Sequence, residues 1–280
     1  MDLDRSMDRM IETSHGQIAI TESQGTGLTV LFIHGNSSCK EVFRDQMHSE
    51  MGRRYRCVAM DLPGHGKSDN ALDPESTYTM AGYADTALQV MSIIHQGRFV
   101  VVGWSLGGHI GIEMLAHTDN ILGLAISGTP PIGQNPSDMD SGFLPHPHMT
   151  STGQEHLSEE EANNYAHTTC GGKRYEEFLG QAVRRTDGRA RSIMMAAAMS
   201  GQGVNQKQMV ESTQIPLAVI NGADEALVNN DYVASLGYSS LWQDSVHLIE
   251  SAGHAPFWDD PKSFNRLLEG FLTSLESTTP

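Results

Sequence analysis

Residues 98–108 read RFVVVGWSLGG. An apolar run, too short for a helix, stops at Gly103, and a helix-compatible stretch, LGGHIGIEM, begins at Leu106. Between them lies a G-x-S-x-G pattern in the strand-to-helix context that gives the pattern meaning. The glycines have a steric reason: a serine on so tight a turn needs close backbone crossings on either side. Its hydroxyl would then stand out of the sheet, beside the free N–H groups of a helix start, which suit a developing oxyanion. A chance Gly-rich turn explains the pattern alone, but not the partners that follow it. Ser105 is therefore the candidate nucleophile.

Working outward, further apolar runs end near Gly in the same way: 28–35, 55–64, 121–128, 216–222 and 245–253. Helical patterns fall between most of them, at about 40–51, 79–96, 106–117, 229–236 and 262–276. This alternation predicts an α/β fold with a mostly parallel sheet covered by helices on both faces. Met10 to Ile20, with a His15-Gly16 turn, predicts an antiparallel hairpin on the sheet edge. The rhythm breaks at 129–214, a region opening with five prolines and continuing with helix-like segments near 156–169, 173–186, 188–200 and 204–213. We expect a core of residues 1–128 and 215–280 and a helical cap insertion, 129–214, over the strand ends where open sheets bind ligands.

A serine needs a base, and the base an orienting acid. His254, in the Gly-flanked loop ESAGHAPF after the last apolar run, is the candidate base. His34 and His109 flank the site within other motifs. His146 and His148 form a PHPH run with no further ligand cluster, so no metal is expected. The turn FIHGNSS places the backbone N–H of Asn36 as one oxyanion donor and that of Leu106 as the second. The Asn36 side chain could also meet a polar substrate group. Trp104, beside the serine, is read as packing with an edge near the pocket, and so as a substrate contact. In NGADEA (221–226) the neighbours Asp224 and Glu225 compete for the acid's place, since adjacent side chains on an extended loop point apart.

The motifs HGNSS, DLPGHGKS, GWSLGGH, NGADE and SAGHAPF, in this order, resemble the α/β-hydrolase family across nearly the whole chain. Within it the chain is similar to the AidH-type N-acyl homoserine lactonases, which are quorum-quenching enzymes. IHGNSS (33–38), GYAD (82–85), GTPP (128–131), TCG (169–171) and RTDGRAR (185–191) carry that closer likeness, several of them in the cap. The resemblance implies opening of a lactone ring through a Ser-His-Glu triad, without metal or other cofactor. It implies that Tyr165 contacts the substrate. It also implies Glu225, three residues after Gly222, as the acid, with Asp224 left to the turn. A serine at the elbow also fits a carboxylesterase or amide hydrolase on open-chain substrates, or a ligand receptor that keeps the triad without turnover. SIMMAAAMSG (192–201), rich in Met and Ala, suits an apolar acyl pocket as well as ordinary helix core.

Composition narrows the setting. Lys and Arg number 18 against 34 Asp and Glu, a net charge of −16, which argues against nucleic acid and anionic membranes as partners. Three cysteines without CxxC spacing and an N-terminus lacking a basic, then apolar, leader fit a cytoplasmic protein acting on a small-molecule lactone or ester. No apolar run is long enough for a membrane span. GHGKS (64–68) is no phosphate loop, because the required first glycine is Asp61, so it reads as a turn. Cys39 has no base and reads as a small buried residue. RTDGRAR reads as a solvated helix junction. Neither acyl-chain preference nor oligomeric state follows from the residues.

Overall fold

The computed structural model describes residues 6–277. Residues 1–5 and 278–280, at the outer ends of the expected core segments, lie outside the described residues, and with them the start of the N-terminus read above as lacking a leader pattern. Strands β1 (Met7–Thr13) and β2 (Gly16–Glu22) form the edge hairpin, and Gly16 leaves its turn at φ 113°, where only glycine is at ease. Strands β3 (Thr29–Ile33), β4 (Arg56–Met60), β5 (Phe99–Trp104), β6 (Ile121–Ser127), β7 (Leu217–Gly222) and β8 (Leu241–Ile249) complete one sheet. Its order is β1-β2-β4-β3-β5-β6-β7-β8. The β1–β2 and β2–β4 pairs are antiparallel and the others parallel.

The central strands are mostly apolar and almost wholly buried because both faces are covered. On β3, Leu31 and Ile33 join one core layer, while Val30 and Phe32 join the other, as the two-residue period requires. The helices Met80–Ile94 and Leu106–Met114 supply the first layer with Tyr83, Ala87, Val90 and Ile110. The helix Pro261–Glu276 supplies the second with Phe264, Leu268, Phe271 and Leu272. Each buried Val, Leu, Ile or Phe among them contributes about 1.5–3 kcal/mol. Strand order reverses at β3, with β4 on one side and β5 on the other, and a crevice opens beyond the carboxyl ends at such a reversal.

Two expected elements differ. The helix at 40–51 is three short turns, Lys40–Phe43, Arg44–Met47 and Glu50–Arg54, because the Ser49 hydroxyl caps a fresh start by accepting from the Met51 N–H. The last strand begins four residues earlier than expected. Its polar start is an exposed edge where Gln243 and Asp244 take positive φ and the register with β7 shifts. Between β6 and β7 run the helices Pro136–Gly142, Glu159–Ala166, Glu177–Arg185, Gly188–Met199 and Gln206–Ser212. A π-helical turn, His167–Gly171, extends the second of them. The first of the five falls in the proline-rich stretch where no helix was expected.

Candidate active site

Ser105 joins β5 to the helix Leu106–Met114 with φ 52° and ψ −117°, a left-handed conformation that costs a non-glycine residue about 1–3 kcal/mol. The surroundings enforce it. Ser105 donates its N–H to Ser127 O (2.8 Å), and the Thr129 hydroxyl donates to Ser105 O (2.9 Å). A Cβ on Gly103 would sit 2.3 Å from Gly107 O, and one on Gly107 would sit 2.0 Å from Ile33 O. The elbow can form only with glycine at both places.

His254 hangs in the loop after β8, and Glu225 in the loop after β7. His254 Nδ1 lies 2.9 Å from Glu225 Oε2, with the two side chains 4% and 1% exposed. The other oxygen, Oε1, accepts from the Leu227 N–H at 2.8 Å. Burial alone would raise the Glu225 pKa, but the His254 charge and these hydrogen bonds outweigh it and hold the carboxyl below its ordinary value. Asp224 is exposed, and its N–H donates to Ala252 O. Of the competing pair, Glu225 is therefore the one brought to His254. Gly128, at φ 58°, leaves room for the imidazole: a Cβ there would lie 2.9 Å from His254 Cε1.

Asn36 follows β3 at the same end of the sheet and is 6% exposed. Its Nδ2 donates to Thr152 O (2.9 Å), and its Oδ1 accepts from the Ser37 hydroxyl (3.2 Å). The side-chain amide is thus engaged by the protein at both ends. Leu106 opens its helix, where the N–H has no acceptor within the helix. Trp104, expected as packing with an edge near the pocket, is placed as packing. It is 2% exposed and stays outside the cavity wall, its indole N–H donating to His254 O at 2.9 Å and its ring packed on Phe257.

Ser105, His254, Asn36, Leu106 and Tyr165 all line one cavity of about 820 Å³. Six methionines share its wall: Met80, Met139, Met149, Met194, Met195 and Met199. Three come from SIMMAAAMSG and three from places the sequence did not single out. Polar groups beyond the expected site residues also reach it. His109, one helical turn beyond Ser105, binds Gln206 Oε1 through Nδ1 at 2.6 Å, and burial holds its pKa at about 4. Its spacing of four from the serine on one helix was the available signal. Thr168 and Thr169 also line the cavity, from the π-helical turn, for which the sequence carries no mark. His146 and His148 lie on the wall with ring centroids 5.5 Å apart. Among the described residues, no group of three His, Cys, Asp or Glu is placed to hold a metal ion.

The residues of GHGKS form a turn: His65 Nδ1 lies 2.9 Å from Pro63 O, and Asp61 accepts the Lys40 and Lys67 N–H groups at 2.7 and 2.8 Å. Cys39 is buried, which pushes its thiol pKa up. Among the described residues, no helix is long and apolar enough to cross a membrane.

An α/β hydrolase family model matches residues 30–267. Crystal structures of N-acyl homoserine lactonase AidH are 44% identical to this chain at a TM-score of 0.95, covering 98% of it and 99–100% of their own length. One holds N-butanoyl homoserine; another, with a serine replaced by glycine, holds N-hexanoyl homoserine lactone. A pimeloyl-acyl-carrier-protein methyl ester esterase of Nitrosomonas europaea is 24% identical over 87% of this chain and 95% of its own. A putative aryl esterase from Burkholderia cenocepacia, 22% identical over 97% of this chain and all of its own, shares the fold at a TM-score of 0.78. Matched over most of its length and 44% identical to AidH nearly end to end, this chain belongs to the α/β-hydrolase family.

Proposed function

We propose that this protein opens the lactone ring of N-acyl homoserine lactones by acyl transfer through Ser105. The carrying observation is the Glu225–His254 contact at the wall that also presents Ser105, in a chain 44% identical to the lactonase AidH. Ser105 Oγ attacks the lactone carbonyl, and His254 takes its proton through Nε2. Glu225, on Nδ1, holds the ring in the productive tautomer and stabilises the imidazolium. The backbone N–H groups of Asn36 and Leu106 receive the oxyanion. As the ring C–O bond breaks, His254 returns the proton to the departing oxygen. It then draws a proton from water, which attacks the acyl-enzyme carbonyl; as the acyl–Oγ bond breaks, His254 passes that proton to Ser105 Oγ and N-acyl homoserine is freed. No step calls on a metal.

In this reading the segment 129–214 is a cap over the core, 1–128 and 215–280. Tyr165 and the methionines hold the acyl chain, and Trp104 positions His254 rather than substrate. The acidic composition and the buried, unpaired cysteines support a cytoplasmic setting with a small-molecule substrate. The test is ring opening of N-hexanoyl homoserine lactone by the purified protein, followed as acid release. Activity should vanish in Ser105→Ala and persist with chelator. Turnover of aryl esters without lactone opening would replace this reading with an open-chain esterase. Tight lactone binding without turnover would replace it with a receptor.

A further inference from the structure

The basic stretch RTDGRAR does not behave as one solvated junction. Arg185 and Arg189 are exposed, and Arg189 pairs with Asp187 at 2.7 Å. Arg191 is instead 4% exposed, and among the described residues its partners include no carboxylate. Its Nε donates to Gln154 O (2.7 Å), and one terminal nitrogen donates to Glu155 O (3.0 Å). The other reaches Ser37 Oγ (3.2 Å) and Val183 O (3.4 Å). Asp187 and Glu155 favour the cation from beyond hydrogen-bond range, but burial still lowers its pKa, and a buried guanidinium with no directly bonded carboxylate is costly.

What the cation holds explains the arrangement. Ser37 stands at φ 57° and is 1% exposed, directly after Asn36. Its hydroxyl accepts from Arg191 and donates to Asn36 Oδ1, while Asn36 Nδ2 donates to Thr152 O. Thr152 leads into Gln154 and Glu155, whose carbonyls bind the same guanidinium. Four side-chain hydrogen bonds and the backbone from Thr152 to Gln154 close a ring: Arg191, Ser37, Asn36, Thr152, Gln154 and back to Arg191. That ring ties the side chains of the turn after β3 to the segment 152–155.

We propose that Arg191 is a positioning residue that acts through Ser37 to hold the Asn36 N–H in place for the oxyanion. This rests on the acyl-transfer reading of Ser105 and Asn36, though not on the substrate being a lactone. A misplaced donor lowers the transition state's stabilisation more than the substrate's binding. Ser37→Ala, which leaves the arginine's carbonyl contacts intact, should therefore lower kcat roughly 10- to 100-fold with KM within about threefold. Arg191→Met should do the same, Arg191→Lys should recover part of the loss, and the double variant should be no worse than Arg191→Met.

Kinetics on both N-hexanoyl homoserine lactone and an aryl ester, with melting curves, make the test. Unchanged kcat in Ser37→Ala, or losses that multiply in the double variant, would overturn the proposal and leave Arg191 a structural tie. If the wild type cleaves the aryl ester but opens no lactone, the lactone reading fails, and the Ser37–Arg191 comparison is still read on the ester.

Discussion

Glu225 and His254 meet at 2.9 Å, carboxylate oxygen to ring nitrogen, while the neighbouring Asp224 faces water. Two adjacent carboxylates thus have opposite surroundings, set by one peptide unit. Glu225→Gln keeps the shape but loses the charge that fixes the ring tautomer, so kcat should fall roughly 10²- to 10⁴-fold. Asp224→Asn, at an exposed position, should stay within about twofold of wild type. Steady-state kinetics on the two variants decide, and the reverse ranking would overturn the assignment.

His34 and His109 make stability fall in mild acid. Burial lowers each from its ordinary 6.5 to about 4. His34 is also locked neutral, with Nδ1 on Gly35 O and Nε2 accepting from the Leu62 N–H. Between those values the unfolded chain binds protons that the folded chain refuses, so stability drops as pH falls from 6.5 toward 4. Asp61 works the other way, since burial raises it to about 6 and the fold then takes up its proton first. Comparing wild type with His109→Gln isolates one group. Between about pH 7 and about pH 4.5 the variant should lose on the order of 2 kcal/mol less stability in urea titrations. Parallel losses in both proteins would show that His109 does not carry the effect.

Trp104→Phe separates positioning from substrate contact. It removes the indole N–H from the buried His254 carbonyl, which should cost about 1–3 kcal/mol of stability. A loosened His254 should lower kcat about tenfold and leave KM nearly unchanged. A rise in KM at constant kcat would restore Trp104 as a substrate contact.

Met194→Trp places a larger side chain on the wall of the 820 Å³ cavity. Butanoyl substrate should still fit, while octanoyl substrate should lose about tenfold in kcat/KM relative to it. An unchanged chain-length profile would place the acyl chain elsewhere.

Much of this was legible before any coordinates. The glycines around Ser105 and the loop position of His254 mark their places because backbone crossings and loop geometry demand those residue types. Glu225 needed more than spacing, because Asp224 fits the turn equally well on paper. The packing of Trp104 was legible from its place beside the serine, but strand alternation near a tight turn does not say whether its edge reaches the cavity. Arg191 was hidden by its neighbours: Arg185 and Arg189 make the stretch look solvated, and only tertiary packing separates the third arginine from them. Thr168 and Thr169 depend on a π-helical turn, a one-residue adjustment of hydrogen bonding with no compositional cost.

The methionine lining ties the enzyme's behaviour to its oxidative history. Peroxide turns a thioether into a polar, chiral sulfoxide. Met199, 57% exposed, is the first in line, whereas Met194 is 5% exposed and shielded. Mild oxidation therefore roughens the cavity rim before its depth and spares Ser105, His254 and Glu225. A preparation aged in air would keep its catalytic groups while its preference among acyl chains drifts.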